Sequence, residues 1–473
     1  MQSKAQSRRS FLKKTGTGIG GIIAASMFPA VVPSSVLGRT APSNRINIGQ
    51  IGFGRIARSH DLPEILKNEI AHVMAVADVD RKRLQWGKEW IEQQYAKKTG
   101  KSNYVDVKVY DDYHDLIANP EIDAVVISTP DHWHAQPAME AALAGKHIYL
   151  QKPTSLTVRE GRQMADAVRK SGVVFQLGSQ QRSVHPWPQF KRTCELVRNG
   201  RIGQLKKVYV GLPGDPAGGN TERMPVPENL NYDFWLGSTP EVYYTLDRVH
   251  SQTNLDERPG WLRCEQFGAG MITGWGSHHI DIAHWGMGTE LTGPIELEGW
   301  AKFPTSGLWN VHGDFKVTTR YANGVEMEIG GDNPNGVKFE GTEGWIFVSR
   351  GNVGVTASDP TAAASAKEQN KAFYASDPKI LGSVIGPNEI KLYESPEQHQ
   401  NWLESIRDKK ETISPVEIAH RSCTACLISH TAMKLQRKLR WDPVKEEFIN
   451  DAEANATLSR PQRGKYGTDK IKF

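Results

Sequence analysis

The chain has 473 residues, with 58 Lys+Arg against 53 Asp+Glu and a formal net charge of +5. That length exceeds one ordinary core and implies two to three domains, and charge spread evenly without a basic block excludes a nucleic-acid footprint. Hydrophobic residues make up 38% of the chain, with 13 Trp and 14 Phe; this suffices for packed cores, while no apolar run beyond the N-terminus is long enough to predict membrane insertion of the mature protein.

In chain order, Ser7-Arg8-Arg9-Ser10-Phe11-Leu12-Lys13 precedes a mildly apolar stretch from Ile19 to Val32. This resembles a twin-arginine signal, so residues 1–40 are read as a leader and the protein as periplasmic or otherwise exported. A cell envelope supplies no free nicotinamide dinucleotide, so any such cofactor must be loaded before transport and held tightly.

Ile46-Asn47-Ile48-Gly49-Gln50-Ile51 alternates as a strand and runs straight into Gly52-Phe53-Gly54-Arg55-Ile56-Ala57. At a strand-to-helix turn, Gly52 permits the tight bend, Gly54 lets the backbone approach a pyrophosphate, and Ala57 allows close helix packing. Pro63 complicates where the following helix starts or kinks. The next strand, His72 to Ala77, ends at Asp78, about 20 residues on, where a carboxylate accepts from ribose hydroxyls and repels a 2′-phosphate. NAD is therefore expected over NADP. Strand Ala124 to Ser128, loop Thr129 to His134, helix Gln136 to Ala144 and strand His147 to Leu150 continue the βαβ pattern of a doubly wound parallel sheet. Ligands sit at the carboxyl ends of such strands, which places Ser128, Thr129, Pro130, His132, His134, Gln151 and Lys152 at the nicotinamide.

Beyond a strand at Val173 to Leu177, Arg182 is a candidate to face substrate. Strand-like alternation recurs at Leu205–Leu212, Glu296–Ala301, Phe315–Tyr321, Val325–Gly330, Val337–Glu340 and Trp345–Val348, which suits an open, mostly antiparallel sheet backed by helices. Asp359 to Ser383 reads as a loop or lid, and helical patterns run from His399 to Lys409 and Pro415 to Leu439. The expected class is α/β: an N-terminal Rossmann domain over 41–178, a C-terminal α/β domain over 179–445 and a tail over 446–473 that is either poorly ordered or a strap. The four cysteines, Cys194, Cys264, Cys423 and Cys426, form neither a disulfide framework nor a zinc site and read as buried thiols. His278, His279, Asp281 and His284, like His132 and His134, lack a definite metal motif, so no metal is expected.

The turn at 52–57, Ser128-Thr129-Pro130, Gly145-Lys146-His147 leading to Lys152-Pro153, and Gly276-Ser277-His278-His279-Ile280-Asp281 together resemble the glucose-fructose oxidoreductase and inositol 2-dehydrogenase family, Gfo/Idh/MocA. The resemblance implies hydride chemistry on a hydroxyl of a sugar, glycoside or cyclic polyol, with Lys152 and His278 as the catalytic pair. One supplies a base and the other stabilises the alkoxide or takes the proton itself. Arg182 and Tyr232 are candidate substrate residues and Asp281 a substrate-hydroxyl or helix-network residue, while the resemblance gives His279 a mainly structural or substrate-contact role and further implies a homo-oligomer, dimer or tetramer, formed through the second sheet. An alternative within the family is oxidation followed by elimination of a glycosidic leaving group, using further acid and base groups from His132, His134, His279 and Tyr232. A non-catalytic sugar-binding protein is the third reading. Two departures stand out: Gln151 replaces the family's glutamate before Lys-Pro, and Gly274 stands where the family often has aspartate.

Overall fold

In a computed structural model the described residues are 45–100, 103–351 and 372–473; the leader expected over 1–40 lies outside them. Six strands, β1 (Ile46–Ile51), β2 (Ala71–Ala77), β3 (Lys108–Tyr110), β4 (Ala124–Ile127), β5 (His147–Leu150) and β6 (Phe175–Leu177), form a sheet in the order β3-β2-β1-β4-β5-β6. Every pairing is parallel. β4 is buried at all four positions, as expected of a strand covered by helices on both faces. The order reverses between β1 and β4, so the crevice beyond their carboxyl ends is the topological switch point where such sheets bind ligands.

Pro63 shapes the first crossover. Lacking an N–H, it cannot continue a ladder, and the chain forms one π-helical turn, Ala57–Asp61, before an α-helix over Leu62–Lys67 with Pro63 in its first turn. The wider turn leaves Asp61 fully buried beneath the strand ends. The next helix, Arg81–Thr99, is capped by the Asp80 carboxylate, which accepts from Lys82 N and Arg83 N, and ends at left-handed Gly100.

The second sheet has nine strands: β7 (Leu205–Gly211), β8 (Glu296–Ala301), β9 (Phe315–Arg320), β10 (Glu326–Gly330), β11 (Gly336–Gly341), β12 (Trp345–Val348), β13 (Phe373–Ala375), β14 (Leu439–Asp442) and β15 (Glu447–Phe448), ordered β13-β12-β11-β7-β10-β9-β8-β14-β15. Only β7 and β10 pair in parallel; the others are antiparallel. Alternating burial along β8 and β9 gives one face to the core with helices Gly276–Met287 and Val416–Leu435, and leaves the other polar apart from Trp300, 43% exposed.

Two elements differ from expectation, and the tail takes one of its two expected forms. The last long helix stops at Leu435 rather than 439, because Gln436 turns left-handed at φ 48°, and this frees Leu439 onward to pair with β8 as β14. Of Asp359–Ser383, the described part carries β13 and a short helix, Pro378–Gly382. The tail is a strap: Arg460 bonds Glu160 at 2.7 Å, Gly467 N donates to Gln136 at 2.7 Å, and Tyr466 stacks on Phe234. The four cysteines are buried and free.

Candidate active site

A single cavity runs from the end of β2 past the glycine turn to the helix beginning at Gly276. Gly52, Gly54, Arg55, Ile56, Asp78, Ser128, Thr129, Pro130, His134, Gln151, Lys152 and His278 all line it. Gly52 has φ +83°, and a Cβ there would meet the Ser128 carbonyl at 3.0 Å, so only glycine keeps this bend beside the strand end. A Cβ on Gly54 would approach protein only at 3.9 Å; the space it would fill is the cradle a pyrophosphate needs. Phe53 is buried and contributes its backbone N–H, bonded to Asp78 Oδ2 at 2.8 Å, while Asp78 Oδ1 accepts from Asp80 N at 2.9 Å. Ala57 is buried at the helix start. Burial, partly offset by Arg83, raises the Asp78 carboxyl to about 6. The residues present fit a dinucleotide.

The second half of the chain closes over this end. Asp80 and Leu230 form an antiparallel bridge, Arg81 N donates to Asn229 O at 2.9 Å, and Asn231 N donates to Val79 O at 3.0 Å. The Asp80 carboxylate receives His250 Nε2 (2.9 Å), Gln252 Nε2 (2.9 Å) and Asn229 Nδ2 (2.7 Å). Arg83 donates to Ser251 O, and Arg58 pairs with Asp256. Together these bonds make a clasp beside the cavity wall that Asp78, Val79, Arg83 and His250 form.

At the other end Lys152 Nζ donates to the Gly274 carbonyl at 2.9 Å. Burial depresses the ammonium, Asp131 opposes that, and Arg350, Arg55 and Arg258 add to the depression. Asp131, itself buried, is shifted the other way by burial and drawn back by Lys152. His278 Nδ1 lies 2.8 Å from the Ser179 carbonyl, so Nδ1 carries the proton and Nε2 is the acceptor. Burial, then Arg350 and Lys152, hold the imidazole well below its ordinary range.

Gln151 lies behind this pair. Its amide donates to Asp61 Oδ1 at 2.7 Å, while Asp61 Oδ2 accepts from Ser128 Oγ at 2.8 Å. His399 Nε2 approaches Asp61 Oδ1 at 3.3 Å and its Nδ1 meets Glu397 at 2.8 Å; burial would discharge this ring, but the two carboxylates outweigh it and raise it to about 9. Among the described residues His60, Asp61 and His399 bring three metal-type ligand atoms within 4.8 Å of one another. Amide donors from Gln151 and Gln398 already occupy Asp61 and His60, which makes the cluster a hydrogen-bond network.

Besides the buried Phe53 and Ala57, five expected site residues lie outside the cavity lining. Arg182 is fully buried in a bidentate pair with Asp281 (2.6 and 2.8 Å) and also bonds Glu290; Ser422 completes the Asp281 shell. They tie β6 to the helix of His278 instead of facing a substrate. His279 is held by Asn335 at 2.8 Å, Tyr232 bonds the Tyr243 carbonyl beside a separate surface depression, and His132 bonds the Trp235 carbonyl at 2.8 Å. His134 does line the cavity, yet both its nitrogens face carbonyls, of Pro153 and Thr129, and burial lowers it to about 4. Sequence reading missed Asp131, Asp61, Arg258, Arg350 and Gln180. Gln180 alone carried a local signal once folded: it is a non-glycine residue at φ +61° in the cavity wall, the strained geometry common at functional sites.

Residues 46–179 match the NAD-binding Rossmann fold of the Gfo/Idh/MocA oxidoreductases, and residues 216–375 and 381–468 match that family's C-terminal alpha/beta domain. The chain belongs to the Gfo/Idh/MocA oxidoreductase family. It is 31% identical over 188 residues to myo-inositol 2-dehydrogenase of Thermotoga maritima, covering 40% of this chain and 48% of that protein. It is 31% identical over 209 residues to a glycosyl hydrolase family 109 protein of Shewanella baltica, covering 42% and 44%. The chain thus spans about half the length of these curated relatives. Among solved structures, the WlbA dehydrogenase of Bordetella pertussis, in complex with NADH and UDP-GlcNAcA, shares the fold at TM-score 0.57 and 16% identity over 84% of this chain and 99% of that one.

Proposed function

We propose that this protein is an NAD(H)-dependent oxidoreductase acting on a hydroxyl of a sugar, glycoside or cyclic polyol, exported by the twin-arginine route, assembled as a homo-oligomer and retaining its cofactor between turnovers. The observation that carries the reading is the meeting of Lys152 and His278 in the cavity that the glycine turn opens. NAD, when bound, supplies the hydride acceptor. His278 Nε2 accepts a hydrogen bond and orients the hydroxyl; Lys152, its ammonium weakened by burial, takes the proton, and Asp131 shares that charge. NAD is preferred to NADP because Asp78 stands at the ribose position. The clasp at Asp80 supports retention, and the uncovered face of the nine-stranded sheet supports self-association.

A second reading, oxidation followed by elimination of a leaving group, is favoured by the family 109 relative and by Asp131, a further carboxyl in the same cavity. Incubating the purified protein with glycosides and no added cofactor, then identifying the released dinucleotide and sugar by mass spectrometry, tests both. NADH or a keto-sugar supports oxidation. Aglycone release with solvent deuterium at the neighbouring carbon supports elimination, and a protein carrying no dinucleotide would defeat both.

A further inference from the structure

We propose that the strap, Arg460 to Gly467, is the latch of the dinucleotide site: it holds one aromatic wall of the cavity and the Asp80 clasp in place, and the cofactor leaves only as fast as the strap lifts. This rests on the reading that the cavity holds a dinucleotide. Tyr113, Trp133 and Phe234 line the cavity together with Asp78 and Asp111. The three rings pack on one another, Trp133 edge-on to Phe234 at 5.4 Å and to Tyr113 at 5.8 Å. Tyr466 stands outside the lining and backs this wall, stacked on Phe234 at 5.6 Å and edge-on to Trp133 at 5.6 Å.

Phe234 lies on a short helix, Tyr232–Leu236, that continues directly from the clasp, where Leu230 bridges Asp80 and Asn231 N donates to Val79 O. Five residues are too few for a helix to hold itself, and both of its ends are tied from outside. The Asn231 side chain caps the start, accepting from Phe234 N at 3.1 Å. The strap supplies donors to carbonyls within the helix and beyond its end. Arg463 gives Nη2 to Asp233 O and Nε to Thr239 O, both at 3.0 Å, and its N–H to Ser238 O at 2.9 Å. On either side of these bonds, Gly467 N reaches Gln136 on helix Ala135–Leu143, and Arg460 reaches Glu160 on helix Val158–Ser171. The strap therefore ties the helix that carries Phe234 to two helices of the Rossmann domain, one of which starts two residues after Trp133.

Within the strap the Tyr466 ring outweighs the ion pair. Arg463 and Asp233 meet at 2.6 Å, but the Asp233 side chain is 62% exposed, and an ion pair open to water contributes little. Tyr466 is 6% exposed, and removing its ring leaves a void behind Phe234 and Trp133. Cofactor retention should therefore follow the ring.

The test is the exchange of bound for isotopically labelled NAD in the full-length protein, read by mass spectrometry. Tyr466→Ala should exchange at least about tenfold faster than the parent. Tyr466→Phe, which keeps the ring, should stay within about twofold of the parent, and Asp233→Asn should change the rate less than about fivefold. Leu297→Ala opens a void in the separate core beneath the second sheet and controls for general loss of stability; an acceleration there equal to that of Tyr466→Ala overturns the inference. Hydrogen exchange on the unmodified protein needs no variant. If the strap holds the cofactor, the cofactor holds the strap to the same degree. The amides of Arg463 and Gly467, bonded to Ser238 O and Gln136 Oε1, should then exchange at least about tenfold more slowly with NAD bound than after it is stripped, and equal exchange overturns the inference. NAD held as firmly by Tyr466→Ala as by the parent sinks the latch and leaves the oxidoreductase reading standing. Retention that follows the ring, without oxidation of any sugar, does the reverse, and a protein that takes up no NAD sinks both.

Discussion

The Gln151 amide nitrogen lies 2.7 Å from Asp61 Oδ1, so the carboxylate that family resemblance led one to expect at position 151 is supplied from position 61. The same exchange occurs at Gly274. Its side chain is absent, but its carbonyl receives Lys152 and the acidic partner comes from Asp131. Both departures from the family pattern thus keep a carboxylate in the site while changing the strand end or loop that carries it.

Gln151→Glu should place two carboxylates together around Asp61 and destabilise the fold by about 2–4 kcal/mol. Adding Asp61→Asn should recover at least half of that loss, because the pair is then exchanged rather than duplicated. Urea denaturation of the three variants measures this, and a double variant no better than Gln151→Glu would refute the exchange.

The fully buried His399 gives a pH dependence of opposite sign to that of most carboxylates. Its folded pKa is raised from 6.5 to about 9, so its contribution is complete below pH 6.5 and fades as pH rises toward 9. A shift of that size is on the order of 3 kcal/mol. Stability should decline between pH 6.5 and 9.5 in the parent protein and stay nearly flat in His399→Gln.

Lys152→Met should lower turnover by about a thousandfold or more while the protein still purifies with its dinucleotide. With neutral lysine as the base, oxidation should rise with pH to a plateau. Asp131→Asn removes the charge that favours the ammonium and should move the midpoint of that rise to lower pH; movement to higher pH would assign the proton elsewhere.

Gly52→Ala brings a Cβ to 3.0 Å from the Ser128 carbonyl at a φ of +83°. The turn costs an L-residue roughly 1–2 kcal/mol, and the displaced strand end no longer lines the cradle. The variant should fold yet purify without dinucleotide, as absorbance and mass spectrometry of the denatured supernatant will report.

His250→Ala combined with Gln252→Ala removes two of the three side-chain donors on the Asp80 carboxylate. Exchange of bound for isotopically labelled NAD should accelerate at least about tenfold, the effect of losing roughly 1.4 kcal/mol of closure. An unchanged exchange rate would show that the clasp does not gate release.

What could be read before folding was whatever is local. β1, the glycine turn and Asp78 are encoded by neighbours in sequence, and alternation along β8 to β12 is visible because one sheet face is buried and the other is not. β3 escaped because Lys108–Tyr110 is three residues long with an exposed pattern. Arg182 looked like a substrate ligand because nothing nearby neutralises it; its partner lies 99 residues on in Asp281. Asp131 was passed over as a loop residue although it adjoins Pro130, since burial beside Lys152 is a tertiary fact. Arg258 and Arg350 sit in irregular segments with no periodicity to mark them.

The clasp at Asp80 bears on where electrons can go. On the proposed function, a dinucleotide shut behind Asn229, His250 and Gln252 would act as a prosthetic group, a store of two electrons per chain with no exit of its own. Whatever fills that store would be matched by something that empties it in the same cavity, beside Trp275 and His278. On the proposed function the net reaction would then be redox-neutral: one sugar oxidised as another is reduced, or a single sugar oxidised, rearranged or cleaved, and reduced again before it leaves.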